Sequence, residues 1–388
     1  MGKERSNIFL MSLTWSIMSP FGAAVNTYAI LFWESLGATP LIIGILSSAY
    51  LISISFSRLI GGYLADTLGR KKTIVYMTLI YGFSNLILAL AENWIYVLIA
   101  QIIIGFSLMY QPAISSLITE SLPKERRARG IAIAGVTGGF TAFFGPPLAI
   151  FTVNTFGLQK GMRILYVLLA ISAIISSIIR LKLIETLKNN SKLNIKEAIK
   201  HYKEALNEFK KVLIILTIIF SLFVSLTSIF GTFIQLYSVS YLGISLAEWG
   251  IFVFIIQIIG MMGTILSGYF ADKLGRLKIV FLNVIFITIS YLILFLGLLG
   301  GLFSVLIALI FSSLINSGPA IEATIAEKSS ENNRGKIFAI FSLIRDLFVA
   351  LIILIAGFAY SLNPKNFIIL GLIIGLVLIF ILRKILKS

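Results

Sequence analysis

The chain has no cysteine and one histidine, His201, among its 388 residues. Without cysteine, disulfide bonds, thiol nucleophiles and thiolate metal sites are excluded. The single histidine lies in a loop outside the apolar runs, so a histidine-based metal site and a Ser-His triad within the membrane are excluded as well. An aspartyl dyad needs two buried, facing aspartates, and only Asp346 falls deep within an apolar run. These absences argue against an enzyme, and we expect neither a cofactor nor a bound metal ion.

Charged side chains are also scarce. They make up 12% of the residues and hydrophobic ones 58%, against about 25% and about 45–50% in an ordinary soluble protein. The mean hydropathy of +1.01 excludes a soluble globular domain and a disordered chain. The apolar runs are long and unbroken rather than alternating, which favours helices over a barrel in lipid. The sequence therefore predicts an all-α membrane protein.

The apolar runs predict twelve transmembrane helices, since each needs about 20 residues to cross the hydrocarbon core. Six of them form an N-terminal half, residues 1–183, six form a C-terminal half, residues 211–388, and a linker covers 184–210. The first run is too long for a cleaved signal and predicts a helix that stays. The expected spans are 8–33, 41–65, 73–91, 94–120, 131–153, 162–182, 211–237, 247–271, 278–298, 302–326, 337–360 and 366–383.

The charges present are unbalanced, with 32 basic and 16 acidic residues and a formal net charge of +16. Nucleic-acid binding is disfavoured because the basic residues lie between apolar runs. Nearly all of them fall in the terminal segments and in every second loop. The opposite loops hold only Lys160, Arg163 and Lys365. This asymmetry predicts a cell-membrane protein with both termini in the cytoplasm.

The linker 184–210 carries apolar residues at helical spacing. The lysines of the same segment fall on another face. This pattern predicts an amphipathic helix on the inner leaflet, or alternatively a solvated linker helix, and His201 is expected at its surface. The apolar positions are Ile195, Ile199, Tyr202, Leu206 and Phe209.

A nine-residue segment between the second and third spans recurs in the second half. Gly62–Arg70 reads GYLADTLGR, and Gly268–Arg276 reads GYFADKLGR. A second echo is Pro-Ala-Ile followed by Glu120, matched by Pro-Ala-Ile followed by Glu327. The chain is therefore predicted to be two pseudo-symmetric six-helix halves in the same orientation. Duplicated halves with a site between them are typical of transporters.

The first copy, with the two lysines that follow it, resembles the signature loop of the major facilitator superfamily, and the drug and metabolite:proton carriers resemble this chain most. The resemblance implies the fold of that family and a monomer in the bilayer. It also implies a secondary transporter that exposes a cavity to each side of the membrane in turn, with a small-molecule substrate and a proton as partners. Many proton-coupled members have an arginine four residues before a glycine of the fourth helix. Here Gln101 stands at that place before Gly105.

The repeated loops are expected to act as conformational latches. The glycines permit tight turns and close helix approach, the aspartates can cap a helix, and each arginine can bond the glutamate of the neighbouring helix. Such contacts can hold one conformation and break in another, and a static staple of the loop is the alternative. The residues concerned are Gly62, Asp66, Gly69, Arg70, Glu120, Gly268, Asp272, Gly275, Arg276 and Glu327.

Four charged residues lie inside predicted spans and away from the span ends, where each costs at least about 2.5–3.5 kcal/mol without a partner. In the resembled family the second and eleventh helices meet across the halves, which implies a pair of Arg58 with Asp346, and we expect Glu322 to pair with Arg345. Arg345 and Asp346 point about 100° apart on a helix. The hypothesis is that Glu322 or Asp346 carries a coupling proton and that Arg345 tunes it or binds an anion. A permanent ion pair that only orders the helices is the alternative.

Polar residues of the helices that line the cavity in the resembled family are candidates for substrate contact. They are Asn26, Tyr28, Gln101, Tyr110, Gln111, Gln235, Tyr237 and Asn316. The apolar, aromatic-rich character of these helices favours efflux of amphiphilic compounds. The alternatives are import of a small anionic metabolite or sugar-like solute, and a sensor with the same fold that never transports.

Overall fold

The computed structural model describes residues 3–122, 136–187, 206, 211–297, 300–330 and 334–387. The side chains of residues 3–5, Gly62, Asp66 and Lys211 are not included. Apart from Leu206, the expected amphipathic segment around His201 lies outside the described residues.

The described residues form 12 helices that are long and apolar enough to cross a membrane. They are α1 (Lys3–Ser35), α2 (Pro40–Leu68), α3 (Arg70–Ala89), α4 (Trp94–Glu120), α5 (Val136–Phe156), α6 (Leu158–Arg180), α7 (Val212–Tyr241), α8 (Leu246–Leu274), α9 (Arg276–Leu296), α10 (Gly301–Glu327), α11 (Arg334–Leu362) and α12 (Asn366–Lys387). No strand occurs among the residues in these ranges or the turns between them. The prediction of an all-α protein with twelve membrane helices is confirmed.

Three of the spans are interrupted among the described residues. A turn separates Trp94–Ser107 from Tyr110–Glu120 in α4, and another turn at residues 143–144 precedes Gly145–Phe156 in α5. In α10 residues 314–317 separate Gly301–Ser313 from Gly318–Glu327. The sequence predicted one continuous run at 302–326. Pro319 explains the difference, because a proline inside a continuous helix has no N–H to donate and its ring clashes with the carbonyl group four residues earlier, whereas it fits the first turn of a new helix.

Several helix ends follow from local side-chain chemistry. Ser245 begins α8 with a capping box, in which its hydroxyl accepts the Glu248 N–H at 3.2 Å and its own N–H donates to the Glu248 carboxylate at 2.9 Å. Asn93 begins α4 by accepting the Ile95 N–H at 3.0 Å. Each cap satisfies helix N–H groups that have no partner inside the helix.

The chain packs as two units. The first contains Met1–Ala38 and Ala49–Ile199, and the second contains Thr39–Ser48 and Lys200–Ser388. In the first unit α6 packs extensively against α1 and α3, and in the second α12 packs in the same manner against α7 and α9. The packing repeats together with the sequence, as expected of two related six-helix halves.

The first turns of α2 pack within the second unit, against α11. The Ser48 hydroxyl donates to the carbonyl oxygen of Ala350 at 2.7 Å. Gly44 faces Gly357, and a Cβ added to Gly357 would lie 2.8 Å from the Pro40 carbonyl oxygen and 3.2 Å from the Gly44 Cα. Helices that approach this closely need glycine on both surfaces.

The interior of each unit is apolar. In the first, Met11, Ile74 and Leu117 belong to one buried cluster contributed by several helices. In the second, the buried ring of Phe367 lies 5.5 Å from the ring of Tyr237 and 5.7 Å from that of Tyr360, centroid to centroid. Aromatic pairs at these separations add to the stability gained from burial.

Candidate functional site

The two repeated loops share one backbone geometry. Gly69 joins α2 to α3 with a φ of +97°, and Gly275 joins α8 to α9 with a φ of +97°. This region of φ favours glycine because residues with a Cβ rarely adopt it. The repeat detected in the sequence is therefore also a repeat of local structure.

Each loop arginine contacts the glutamate that the sequence assigned to it. Arg70 forms an ion pair with Glu120, and its guanidinium also donates to the Thr186 hydroxyl at 3.3 Å. Arg276 pairs with Glu327 at 2.7 Å. The Arg70 side chain is 9% exposed and that of Arg276 is 36% exposed. The first pair is therefore less screened by water than the second.

Each repeated loop also carries an aspartate, Asp66 in the first and Asp272 in the second. Asp66 belongs to α2, but its side chain is outside the described atoms. Asp272 is exposed and has no hydrogen bond or ion pair within the described part of the chain. Its neighbour Lys273 places its ammonium 4.5 Å from the ring centroid of Tyr269.

Glu185, which the sequence analysis did not single out, caps α3. Its carboxylate accepts the Arg70 N–H at 3.2 Å and the Lys71 N–H at 3.0 Å. A carboxylate at a helix N-terminus satisfies N–H groups and interacts favourably with the helix dipole. The segment that follows α6 is thereby tied to the first repeated loop.

A cavity of about 510 Å³ lies within the second unit. Helices α7 to α11 all contribute to its wall. Its polar lining includes Thr227, Thr264, Asn283, Asn316, Glu322 and Arg345. Its apolar lining includes Phe223, Met261 and Ile321. The volume falls in the range of about 300–1,000 Å³ that is typical of small-molecule sites.

The interruption of α10 forms part of the cavity wall, and side chains of neighbouring helices hold it in place. The Asn316 amide donates to the Thr264 hydroxyl at 3.0 Å, and the Asn316 backbone N–H donates to the Ser267 hydroxyl at 3.0 Å. The Asn316 side-chain oxygen accepts the Gly318 N–H at 3.1 Å. Irregular backbone at membrane depth needs such partners. Asn316 therefore caps the second piece of α10 while it lines the cavity.

Glu322 and Arg345 are the charged residues among those that line the cavity. Glu322 is exposed to it, and no hydrogen bond or ion pair of its carboxylate occurs among the described residues. Arg345 instead pairs with its sequence neighbour Asp346, whose Oδ1 accepts from Nε at 2.8 Å and lies 2.7 Å from Nη2. The long arginine side chain spans the angle of about 100° between the two positions, which the sequence analysis did not allow for.

The other predicted site residues lie elsewhere. Tyr28, Gln101, Tyr110 and Gln235 are buried. Asn26 and Gln111 are exposed, and Arg58 is half-buried on α2. Tyr237 is buried, and its ring stacks on that of Tyr241 at 5.2 Å. Of the eight candidates for substrate contact, Asn316 lines the cavity of the second unit.

Arg180 is the second residue that the sequence analysis missed. It lies near the end of the predicted span 162–182, next to the linker, and its side chain is fully buried. Its guanidinium donates to the hydroxyls of Thr14 and Thr78 and lies 5.7 Å from the ring centroid of Tyr110. These partners are distant in the sequence, so no local pattern marks the contact.

Within the described ranges, no group of three or more His, Asp or Glu residues is placed to hold a metal ion.

Twelve membrane helices in two repeated units, matched loops after the second and eighth helices and a cavity of small-molecule size are the features of a membrane transport protein. The sequence model of the Major Facilitator Superfamily matches residues 7–353, and the chain belongs to that family. Its members are transporters and not enzymes. The protein is therefore a multi-pass membrane protein of a transporter family.

Relatives and solved structures agree with this assignment. The chain is 30% identical over 201 residues to an uncharacterized MFS-type transporter of Methanocaldococcus jannaschii, covering 51% of each chain. It is 28% identical over 148 residues to the quinolone resistance protein NorA of Staphylococcus aureus, covering 37% of this chain and 36% of NorA. The chain thus spans about half or less of the curated relatives it matches. The crystal structure of the nucleoside transporter NupG (D323A mutant) superposes with a TM-score of 0.76 at 15% identity, covering 98% of this chain and 99% of that one.

Proposed function

We propose that this protein is a secondary active transporter that moves amphiphilic organic compounds out of the cell by alternating access, with Glu322 carrying the coupling proton. The observation that carries the proposal is the Glu322 carboxylate, which faces a 510 Å³ cavity without a partner among the described residues. An unpaired carboxylate at membrane depth is costly unless it is hydrated, protonated or bound to a cation. During transport the Glu322 carboxylate can change between the hydrated, the protonated and the cation-bound state.

Asp346 is the other carboxylate that the sequence analysis considered for the coupling proton. Its side chain is 5% exposed and accepts two contacts from Arg345. A buried carboxylate and guanidinium in direct contact form a charge-assisted pair, and removing one member leaves the other charge buried without that partner. The proposal therefore assigns the proton to Glu322 and an ion-pairing role to Asp346.

The cavity lining favours an amphiphilic solute. Phe223, Met261 and Ile321 supply apolar contact area, while Thr227 and Asn316 supply hydrogen-bonding groups. Mostly apolar pockets with a few placed polar groups are typical of organic ligand sites. Similarity to NorA, which is a quinolone resistance protein, agrees with efflux. Import of an anionic metabolite would need a free cation in the cavity, and the Arg345 charge is already paired.

The test is transport by purified protein in liposomes, with ethidium as the amphiphilic probe and pyranine as the internal reporter of pH. We expect an imposed proton gradient to drive ethidium against its gradient, and ethidium flux to move protons. In Glu322→Gln both signals fall to the level of protein-free vesicles. The matched control is Glu92→Gln, because Glu92 is exposed in the turn between α3 and α4 and should leave transport unchanged.

Three outcomes would contradict the proposal. Proton movement in Glu322→Gln that equals the wild-type signal removes the assigned role of Glu322. Loss of proton movement in Asp346→Asn alone, with solute binding intact, assigns the proton to Asp346. Wild-type protein that binds solutes but moves none under any gradient is a sensor rather than a carrier.

The orientation and oligomeric state are part of the same proposal. We expect a monomer in the cell membrane with both termini in the cytoplasm, because the basic residues concentrate in one set of loops. Cross-linking in the native membrane tests the first expectation, and residue labelling from outside the cell tests the second.

A further inference from the structure

The cavity of the second unit holds two formal charges of opposite sign, on Glu322 and Arg345. Taken alone, these would make the site neutral and suited to a zwitterion. The sign of charge that the cavity accepts depends, however, on whether each charge is available to a solute. The contacts of the two residues differ in this respect.

The Arg345 charge is already neutralised. Two nitrogens of its guanidinium approach the same carboxylate oxygen of Asp346, Nε at 2.8 Å and Nη2 at 2.7 Å. The two side chains are 15% and 5% exposed, and the guanidinium carbon lies 5.3 Å from the ring centroid of Phe341. Burial and the adjacent ring both favour this arrangement. An anion would have to compete with a carboxylate that is covalently held next to the arginine.

The Glu322 charge has no such partner within the described residues. It stands four residues after Gly318, where the second piece of α10 begins, and it faces the cavity. Because Asp346 occupies the Arg345 guanidinium, Glu322 is the charged residue of the cavity lining that stays available to a solute. Nearby, Phe223 offers an aromatic face and Met261 a polarizable sulfur, and both are favourable surfaces for an organic cation.

We infer that Asp346 determines the sign of the solute: by neutralising Arg345 it leaves Glu322 in control of the cavity, which therefore takes an organic cation with an apolar body. This inference rests on the proposed function and adds a substrate class to it. Asp346 does not line the cavity, so it acts through Arg345 and is a specificity-determining residue. Its removal frees a cation, and the preference of the cavity shifts toward anions.

The test uses two ions of matched size and shape, tetraphenylphosphonium and tetraphenylborate, in equilibrium dialysis against purified protein with the binding to empty micelles subtracted. Wild-type protein binds the cation more tightly. Asp346→Asn binds the cation about tenfold more weakly and the anion more tightly, as expected for one added unit charge in a partly screened site. The double variant Glu322→Gln with Asp346→Asn prefers the anion.

Removing both members of the pair distinguishes the effect of the Asp346 charge from a purely structural role of its side chain. Asp346→Asn with Arg345→Gln has the same charge as the wild type, so cation binding returns to within about threefold of the wild-type value. A purely structural Asp346 predicts no such recovery. Thermal unfolding of each variant reports whether it is folded, and the charge-balanced double variant is the one that avoids an unpaired buried arginine.

Wild-type protein that binds neither ion, or that prefers tetraphenylborate, overturns the inference. Asp346→Asn with unchanged affinities, or a double variant without recovery, also overturns it. These measurements need no proton gradient and no flux. Suppose that the binding measurements come out as expected while Glu322→Gln still moves protons in liposomes. The proposed role of Glu322 in proton coupling is then wrong, and the inferred preference of the cavity for cations is still supported.

Discussion

Gly263 provides a direct test of how α8 positions the cavity. A Cβ added to Gly263 would lie 2.6 Å from the Leu314 carbonyl oxygen and 2.7 Å from that of Ser313. Both atoms are backbone at the interruption of α10, so neither can rotate away. Restoring an ordinary contact of 3.4 Å requires the two backbones to separate by about 0.8 Å.

The expected cost of Gly263→Ala follows from two terms. Overpacking against backbone costs about 1–3 kcal/mol. The separation also lengthens the hydrogen bonds from Asn316 to Thr264 and Ser267, now 3.0 Å each, and each is worth about 1 kcal/mol. We therefore expect the free energy of unfolding to fall by about 2–4 kcal/mol, and binding of tetraphenylphosphonium to weaken.

The matched control is Gly260→Ala, one turn earlier on the same helix. The nearest atoms to its added Cβ belong to Ser313 at 4.0 Å, so the methyl group fits. Alanine also suits a helix interior better than glycine by about 0.5–1 kcal/mol. Chemical denaturation in mixed micelles measures both variants. If Gly263→Ala is as stable as Gly260→Ala, the close approach of α8 to the interruption is wrong.

Two further predictions concern the loops and the orientation. Gly69→Ala and Gly275→Ala each force a side chain into a φ of +97°, at a cost of about 1–3 kcal/mol. Gly69→Ala should lower the free energy of unfolding more, since its Cβ would also lie 2.7 Å from the Glu185 carboxylate; equal losses in denaturation would contradict this. Because the chain lacks cysteine, single introduced thiols can be labelled selectively in whole cells with a membrane-impermeant maleimide. We expect Lys365→Cys to react and Lys387→Cys to react only after lysis, and the reverse pattern would refute the predicted orientation.

The helices and the repeat could be predicted from the sequence because their signals are local or self-similar. A span needs an apolar run of sufficient length. The loop glycines and the Arg276–Glu327 contact are marked by motifs that occur twice in the chain. The interruption of α10 was missed although Gly318-Pro319 marks it, because the hydropathy of the run stays high across it.

The environment of the charged residues could not be predicted in the same way. Arg180 lies near the end of a predicted span, yet it is buried against Thr14 and Thr78, which are more than 100 residues away in the chain. The pairing of Arg345 with Asp346 depends on side-chain reach rather than on helical position. The contacts of Arg180 depend on tertiary packing, which a single sequence does not reveal.

The interruption of α10 also connects the position of α8 to the direction in which the Glu322 side chain points. Its first piece ends at Ser313, and its second piece, which bears Glu322, starts at Gly318. The short stretch between them is bonded to α8 through two groups of Asn316. A tilt of α8 would therefore re-aim the Glu322 carboxylate without unwinding either piece of α10.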